Sequence, residues 1–323
     1  MAQETSQRSN GFHELFLRYE GNPILTAADW PYSVNTVFNP AAVEFNGKVL
    51  LLVRVEDRRG FSHLATAISP NGRDSWIISP SPVLAPSSEY PQETWGVEDP
   101  RISYVKELHK FAVVYTGYSV SGPVVRLAMT EDFVHFERKG SIMPPEDKDA
   151  ALFPCRFNER WMLIHRPIEH GAHVWISSSD NLKDWGRHKI LLPTRPGSWW
   201  DSCKVGLCTP PLETKEGWLF IYHGVKQTAA GFIYRLGLAL LDHDDPSKVL
   251  RRSSGWIFGP KESYEKIGDV PDVVFPCGWI HNQGSDELSM YYGAADTCVC
   301  LATARLDDVL EYIMRCEPPE EYL

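Results

Sequence analysis

No apolar run in the 323-residue chain approaches the roughly 20 residues that a membrane-spanning helix needs. Cationic excess is missing too: 32 Lys and Arg stand against 42 Asp and Glu, a net charge of −10. A surface built for nucleic acid has to answer a phosphate backbone with basic patches, so that class of partner is excluded. The seven cysteines (155, 203, 208, 277, 298, 300 and 316) are an odd number in no metal-like spacing, which reads as reduced thiols in a cytoplasmic chain. Also lacking are a Walker loop, a GxGxxG turn, a zinc spacing and a nucleophile elbow. Nothing therefore points to a metal or to an organic cofactor. The opening "MAQETSQRSNGF" has no signal-peptide core and is expected to form a flexible tail over 1–15. Strong helical periodicity is scarce everywhere except near the C-terminus.

What the chain does have is repetition. Five segments share a proline, an apolar strand, a short polar turn and a second apolar strand. They are "NPAAVEFNGKVLLLVRVE" from Asn39, "DPRISYVKELHKFAVVYTGY" from Asp99, "FPCRFNERWMLIHRPI" from Phe153, "PPLETKEGWLFIYHGV" from Pro210 and "FPCGWIHNQGSDELSMYYGAAD" from Phe275. The marker prolines Pro40, Pro100, Pro154, Pro211 and Pro276 recur at intervals suited to four-stranded propeller blades rather than helical solenoids. Each pair is followed by a shorter strand and a Ser/Asp-rich turn. The last, "VCLATARLDDVLEYI", instead runs into an amphipathic stretch, read as a short C-terminal helix. The expectation is an all-β, five-bladed β-propeller occupying 16–323 as one domain. A β-sandwich would not explain hairpins that repeat in step with their prolines.

A propeller brings the starts of its first strands and the ends of its second strands to a central cavity, a usual place for a ligand. Asn39, Arg54, Asp99, Arg101, His165, Arg166, Tyr222, His223 and Asp296 hold those positions. Acids, cations and tyrosines together suit a sugar and an anion. For "GVEDPRI" the choice lies between a turn with a surface ion pair and a working carboxyl group. Alternation sends Glu98 and Asp99 in opposite directions, and Asp99 occupies the place of Asn39, so Asp99 is the one expected to face the cavity. Arg166, Lys204 and His223 either neutralise surface acids singly or form one clamp for a phosphate or carboxylate. Trp199, Trp200 and Trp279 suit either sugar stacking or packing between blades.

"GVEDPRI", "KDAALFP", "HRP", "WWDSCKVG", "GWLFIYHGV" and "YYGAADT", in this order along nearly the whole chain, make it resemble glycoside hydrolase family 130, the β-mannoside phosphorylases and related β-mannosidases. The resemblance implies a five-bladed propeller with Asp99 as general acid. Its proton reaches the glycosidic oxygen directly or, as in some members, through a sugar hydroxyl. Inorganic phosphate, a co-substrate rather than a cofactor, then attacks from the opposite face to give α-mannose 1-phosphate. Asn39, Arg54 and Asp296 match positions that hold the mannosyl unit, with Glu98, Arg101, Tyr222 and Phe275 assigned to the sugar as well. His165, Arg166, Lys204 and His223 match the phosphate side. One departure is Cys155 followed by Arg156, where some phosphorylases carry arginine directly after "LFP", which leaves the clamp one cation short.

Chemistry agrees with the assignment. Phosphate is already a nucleophile, so a phosphorylase needs one carboxyl group and a cationic clamp, whereas an inverting hydrolase needs a second acid to activate water. Asp99 is expected to carry its proton through a pKa raised by a desolvated cavity. A β-mannosidase on the same scaffold and a non-catalytic carbohydrate-binding propeller are the competing readings. The linkage, β-1,2 or β-1,4, and the second sugar are left to rim loops such as Asp57–His63 and Val120–Pro123. A homo-oligomer is left open.

Overall fold

The computed structural model describes residues 14–168 and 171–319. Residues 1–13 of the expected tail lie outside the described residues. Its last two members are tied down: Glu14 pairs with Arg18 at 2.6 Å, and the Leu15 N–H donates to the Ile257 carbonyl.

Short apolar runs separated by turn residues give an all-β chain with two α-helices among the described residues. The strands fall into five successive antiparallel units. The first comprises Thr36–Phe45, Lys48–Glu56, Ser62–Ser69 and Ile77–Ile78. The second comprises Gly96–Val105, Lys110–Ser119, Gly122–Thr130 and Glu137–Ser141. The third comprises Asp147–Phe157, Arg160–Pro167, Val174–Ser179 and Trp185–Leu192. In the fourth, Lys204–Leu207 and Leu212–Thr214 both pair with Gly217–Thr228, followed by Gly231–Leu241 and Val249–Arg252. The fifth, Val274–Asn282, Glu287–Ala294 and Cys298–Arg305, takes its outer strand, Leu17–Arg18, from the other end of the chain. One parallel bridge, Ser62 to Gly96, links the first two units.

Local sequence explains the hairpins. Asn46-Gly47 and Asn158-Glu159 each hold two consecutive left-handed residues between paired strands, the backbone a tight two-residue hairpin requires. Along the strands alternate apolar residues are buried, and the resulting clusters lie between units. Leu50, Leu52 and Leu64 meet Val97 and Val113 between the first and second. Val114 and Leu127 meet Leu152 and Leu163 between the second and third, and Phe153 and Ile164 meet Phe220 and Leu241 between the third and fourth. Leu219 and Leu238 meet Met290 and Tyr292, while Tyr291 and Leu301 meet Val37 and Leu51 of the first unit. The helix Leu306–Met314 stands where the sequence places it. It buries Leu306, Val309, Leu310 and Ile313, a single helical face, on the cluster shared by the fourth and fifth units.

One irregularity shapes the site. The first strands of the first three units break register at Phe38/Ala41, Glu98/Arg101 and Lys148/Ala151. Inside each break sits a left-handed polar residue: Asn39 (φ 45°), Asp99 (φ 47°) and Asp149 (φ 52°). Such bulges re-aim a side chain that regular pleating would send elsewhere. In the third unit the residue equivalent to Asn39 and Asp99 is thus Asp149, and the expected marker Pro154 lies five residues beyond it.

Candidate active site

Those three bulge residues converge on one cavity of about 160 Å³, lined also by Arg54, Lys148, Arg166, Lys204, His223, Tyr234, Val270, Val273, Phe275 and Asp296. Larger clefts of about 440 and 530 Å³ lie elsewhere, lined by residues of the second and third units and by residues beside the N-terminal strand. Neither gathers buried charge as this one does. Its lining holds four basic side chains, Arg54, Lys148, Arg166 and Lys204, with three carboxyl groups, Asp99, Asp149 and Asp296. Among the described residues no group of three or more His, Cys, Asp or Glu side chains could hold a metal ion.

On one side stands Asp99, 3 % exposed. Its Oδ1 accepts from Asn39 Nδ2 at 2.9 Å and from Arg54 Nη1 at 3.1 Å, while Oδ2 has no partner among the described residues. Arg54 is itself shared: Nη2 lies 3.2 Å from Glu98 Oε1 and 3.5 Å from Glu56 Oε2, and Nε donates to Ser62 Oγ at 3.0 Å. Glu98 and Asp99 therefore meet the same guanidinium. The alternation that should separate them fails at the bulge, and Glu98 pairs with Arg54 rather than lining the cavity. Gly293 makes room for Asn39, since a β-carbon there would come within 2.1 Å of Asn39 Oδ1.

The carboxyl groups titrate apart. Burial pushes Asp99 up, but Arg54, Lys148 and Arg101 and the Asn39 hydrogen bond outweigh it, holding Asp99 below the usual carboxylate range. The raised value expected from desolvation is thus reversed by charge. Asp296, with less compensation from Arg54 and repulsion from Asp99, is pushed by burial up to about 6.

A second cluster of charged groups lines the same cavity. Arg166 Nε donates to Asp149 Oδ2 at 2.6 Å, leaving its terminal nitrogens without a protein partner among the described residues. Burial would raise Asp149, yet the charges of Arg166 and Lys148 hold it far below the carboxylate range. Lys204 Nζ sits 4.8 Å from the centroid of Tyr234, and burial together with repulsion from Arg166 lowers its pKa to about 8. His223 Nε2 lies 3.7 Å from Asp149 Oδ2, with the ring tilted against Phe275. Burial takes its pKa well below the ordinary histidine value, so it works as a neutral hydrogen-bonding group rather than as a third charge of the clamp.

Of the residues expected at the site, Asn39, Arg54, Asp99, Arg166, Lys204, His223, Phe275 and Asp296 line the cavity. Three are turned away. Arg101, 1 % exposed, lies beneath the floor, where it donates to the carbonyls of Asp99, Leu207 and Cys208. Tyr222 and His165 neighbour His223 and Arg166 in their strands, so the pleat that brings the second pair inward sends the first pair out. The Tyr222 hydroxyl is bound by Asp201, Arg252 and Arg195, and its ring stacks on Trp200. His165 bonds Asp147 and Ser177. Trp200 and Trp279 are core residues, and Trp199 lies under Arg195.

Lys148, Asp149 and Tyr234 are lining residues that the strand-end reading misses. For Asp149 a signal existed: "DAAL" can be laid over "NPAA" and "DPRI". Arg156 contributes nothing here, being paired at the surface with Glu107 at 3.0 Å. Lys148 lines the cavity together with Arg166 and Lys204.

Comparison with known proteins follows the same lines. Residues 16–315 match the family profile described as β-1,4-mannooligosaccharide phosphorylase. The β-1,4-mannooligosaccharide phosphorylase of Ruminococcus albus is 33% identical over 93% of this chain and 91% of its own. A 1,2-β-oligomannan phosphorylase of a Thermoanaerobacter species is 35% identical over 90% of this chain and 98% of its own. Among solved structures, the β-1,2-mannobiose phosphorylase of Listeria innocua, in complex with β-1,2-mannobiose, superposes with a TM-score of 0.84 at 31% identity. It covers 93% of this chain and 99% of that one. With its acid, its cations and its bulged strands in one cavity, the chain belongs to glycoside hydrolase family 130.

Proposed function

We propose that this protein is an inverting β-mannoside phosphorylase that transfers a mannosyl unit to inorganic phosphate and releases α-mannose 1-phosphate. The observation that carries the reading is that Lys148, Arg166 and Lys204 share a cavity of about 160 Å³ with Asp99. A phosphate oxygen attacks the anomeric carbon from the cationic side as the bond to the leaving oxygen breaks on the other. The leaving oxygen takes a proton supplied by Asp99. Preplaced cations stabilise the charge of the nucleophile without reorganisation. Asn39, Arg54 and Asp296 hold the sugar between the two.

Resting Asp99 is ionised by its cationic surroundings. An arriving phosphate neutralises part of that field, Lys148 above all, and a bound sugar removes the remaining water. Both changes raise the Asp99 pKa at the moment a proton is required. Hydrolysis is disfavoured because Asp149, the carboxylate among the cations, is bound to Arg166 and held too acidic to activate water.

For the fold, we infer a closed five-bladed propeller. First strands of consecutive units lie against one another from Val274–Asn282 through Thr36–Phe45, Gly96–Val105 and Asp147–Phe157 to Lys204–Leu207. An apolar cluster also joins the fifth unit to the first. A single domain with a cytoplasmic location accords with this and with seven free thiols. Incubating the protein with β-1,4- and β-1,2-mannobiose, with and without phosphate, tests the activity. Turnover should require phosphate, and equal mannose release in its absence would make the protein a hydrolase.

A further inference from the structure

A row of polar side chains crosses the whole third unit and ends on Arg166. Asp147 on the first strand bonds His165 Nδ1 through Oδ2 at 2.6 Å, and His165 Nε2 meets Ser177 Oγ on the third strand at 2.7 Å. Ser177 Oγ in turn meets His188 Nδ1 on the fourth strand at 2.7 Å. The other oxygen of Asp147, Oδ1, accepts the backbone N–H of Arg166 at 3.1 Å. Asp147, His165 and Ser177 are buried and His188 is exposed, so the row runs from solvent to the wall of the active-site cavity.

Each link fixes the next. In the tautomer that satisfies every contact, Asp147 accepts from Nδ1–H of His165, and Nε2 accepts the Ser177 hydroxyl proton. The Ser177 oxygen then accepts Nδ1–H of His188. Every buried donor and acceptor in the row is used once, and loss of any member leaves a buried neighbour unpaired. No such row is needed to hold a β-sheet, whose own ladder already joins these strands. Its distinctive output is at Arg166, which is gripped twice: by Asp147 at the backbone and by Asp149 Oδ2 at Nε. The two grips leave the terminal guanidinium nitrogens aimed at the phosphate side.

We propose that the Asp147–His165–Ser177–His188 row is a positioning device for phosphate recognition, with Asp147 and His165 as positioning residues that act through Arg166. The proposal rests on the phosphorylase reading of the cavity. It gives a role to His165, which never reaches the cavity itself. Because small misplacements of an orienting group are costly, its effect should fall on phosphate and spare the sugar.

Steady-state phosphorolysis with phosphate and β-mannobiose varied separately, together with calorimetric titration of the free protein with inorganic phosphate, tests it. Asp147→Asn and His165→Ala should raise the KM for phosphate about tenfold or more and weaken phosphate binding in parallel. The KM for mannobiose should stay within about twofold of the wild type. Ser177→Ala should move the same way by less, and Ser177→Thr, which keeps the hydroxyl, should restore it. Melting curves identify any variant that fails to fold, and the Ser177 pair then carries the test. Equal changes in both KM values, unchanged phosphate binding in all variants, or no rescue by threonine would overturn the proposal. Wild-type turnover without phosphate would instead overturn the underlying reading, so the two failures are distinguishable.

Discussion

Asp99→Asn isolates the proton from everything else Asp99 does. Asparagine keeps an Oδ1 that can accept from Asn39 Nδ2 and Arg54 Nη1, now 2.9 and 3.1 Å away. Arg54 retains Glu98 at 3.2 Å and Glu56 at 3.5 Å, so its charge stays compensated. The fold should therefore survive with a small change in melting temperature. What disappears is the transferable proton on Oδ2. General acid catalysis contributes about 10²–10⁴ in rate, equivalent to about 2.7–5.5 kcal/mol of barrier. Phosphorolysis of mannobiose should fall by that factor, with the KM for phosphate little changed. An aryl β-mannoside with an acidic phenol leaving group needs no protonation, so its rate should fall far less. The assay is release of mannose 1-phosphate from both substrates under the same conditions. A near wild-type rate on mannobiose, or equal losses on the two substrates, would refute the assignment of the acid.

Further expectations rest on other groups at the site. Asp296 titrates near 6 in the fold against an ordinary value of 3.8, so its burial is tolerated best when protonated. That stabilising contribution is present below about pH 4 and lost as pH rises through 6, a cost of roughly 3 kcal/mol at neutral pH. Asp296→Asn should thus raise the melting temperature at pH 7 while weakening mannoside binding, and a lower melting temperature would contradict the sign. In the wild type the KM for mannobiose should rise below pH 6 as the carboxylate that accepts sugar hydroxyls is protonated. Gly293→Ala should displace Asn39, since the added carbon would lie 2.1 Å from Oδ1 and 2.7 Å from the backbone nitrogen. Activity should drop at least about tenfold with the strands intact by circular dichroism. If phosphate raises the pKa of Asp99, its binding should be accompanied by greater net proton uptake in the wild type than in Asp99→Asn, read from titration calorimetry in buffers of different ionisation enthalpy. Equal proton counts in the two proteins would contradict the argument.

The repeat was legible because each unit rebuilds a pair of apolar strands joined by a short polar turn, and the C-terminal helix because Leu306, Val309, Leu310 and Ile313 share a face. Asp99 could be singled out because the adjacent acids stand at the head of a unit where Asn39 stands in another. Two-residue alternation misleads where it breaks and sorts neighbouring residues where it holds. At Asp99 a bulge cancels it, so Glu98 and Asp99 meet one arginine. At His165-Arg166 and Tyr222-His223 it holds, and only one of each pair can reach the cavity. A proline marker hides Lys148 and Asp149, because the shared property is a left-handed polar residue, which alanine can follow as well as proline. The titration order of Asp99 and Asp296 depends on which cations stand beside each, a three-dimensional fact that no spacing encodes.

The central claim is that phosphate, held by Lys148, Arg166 and Lys204, is the nucleophile, and the product records it. Phosphorus and proton magnetic resonance on the protein with β-mannobiose and inorganic phosphate should show α-mannose 1-phosphate accumulating in step with the second sugar. No free mannose should arise from the transferred unit, and no turnover should occur when phosphate is withheld. Free mannose formed at the same rate in either case, or a β-configured phosphate ester, would contradict the account.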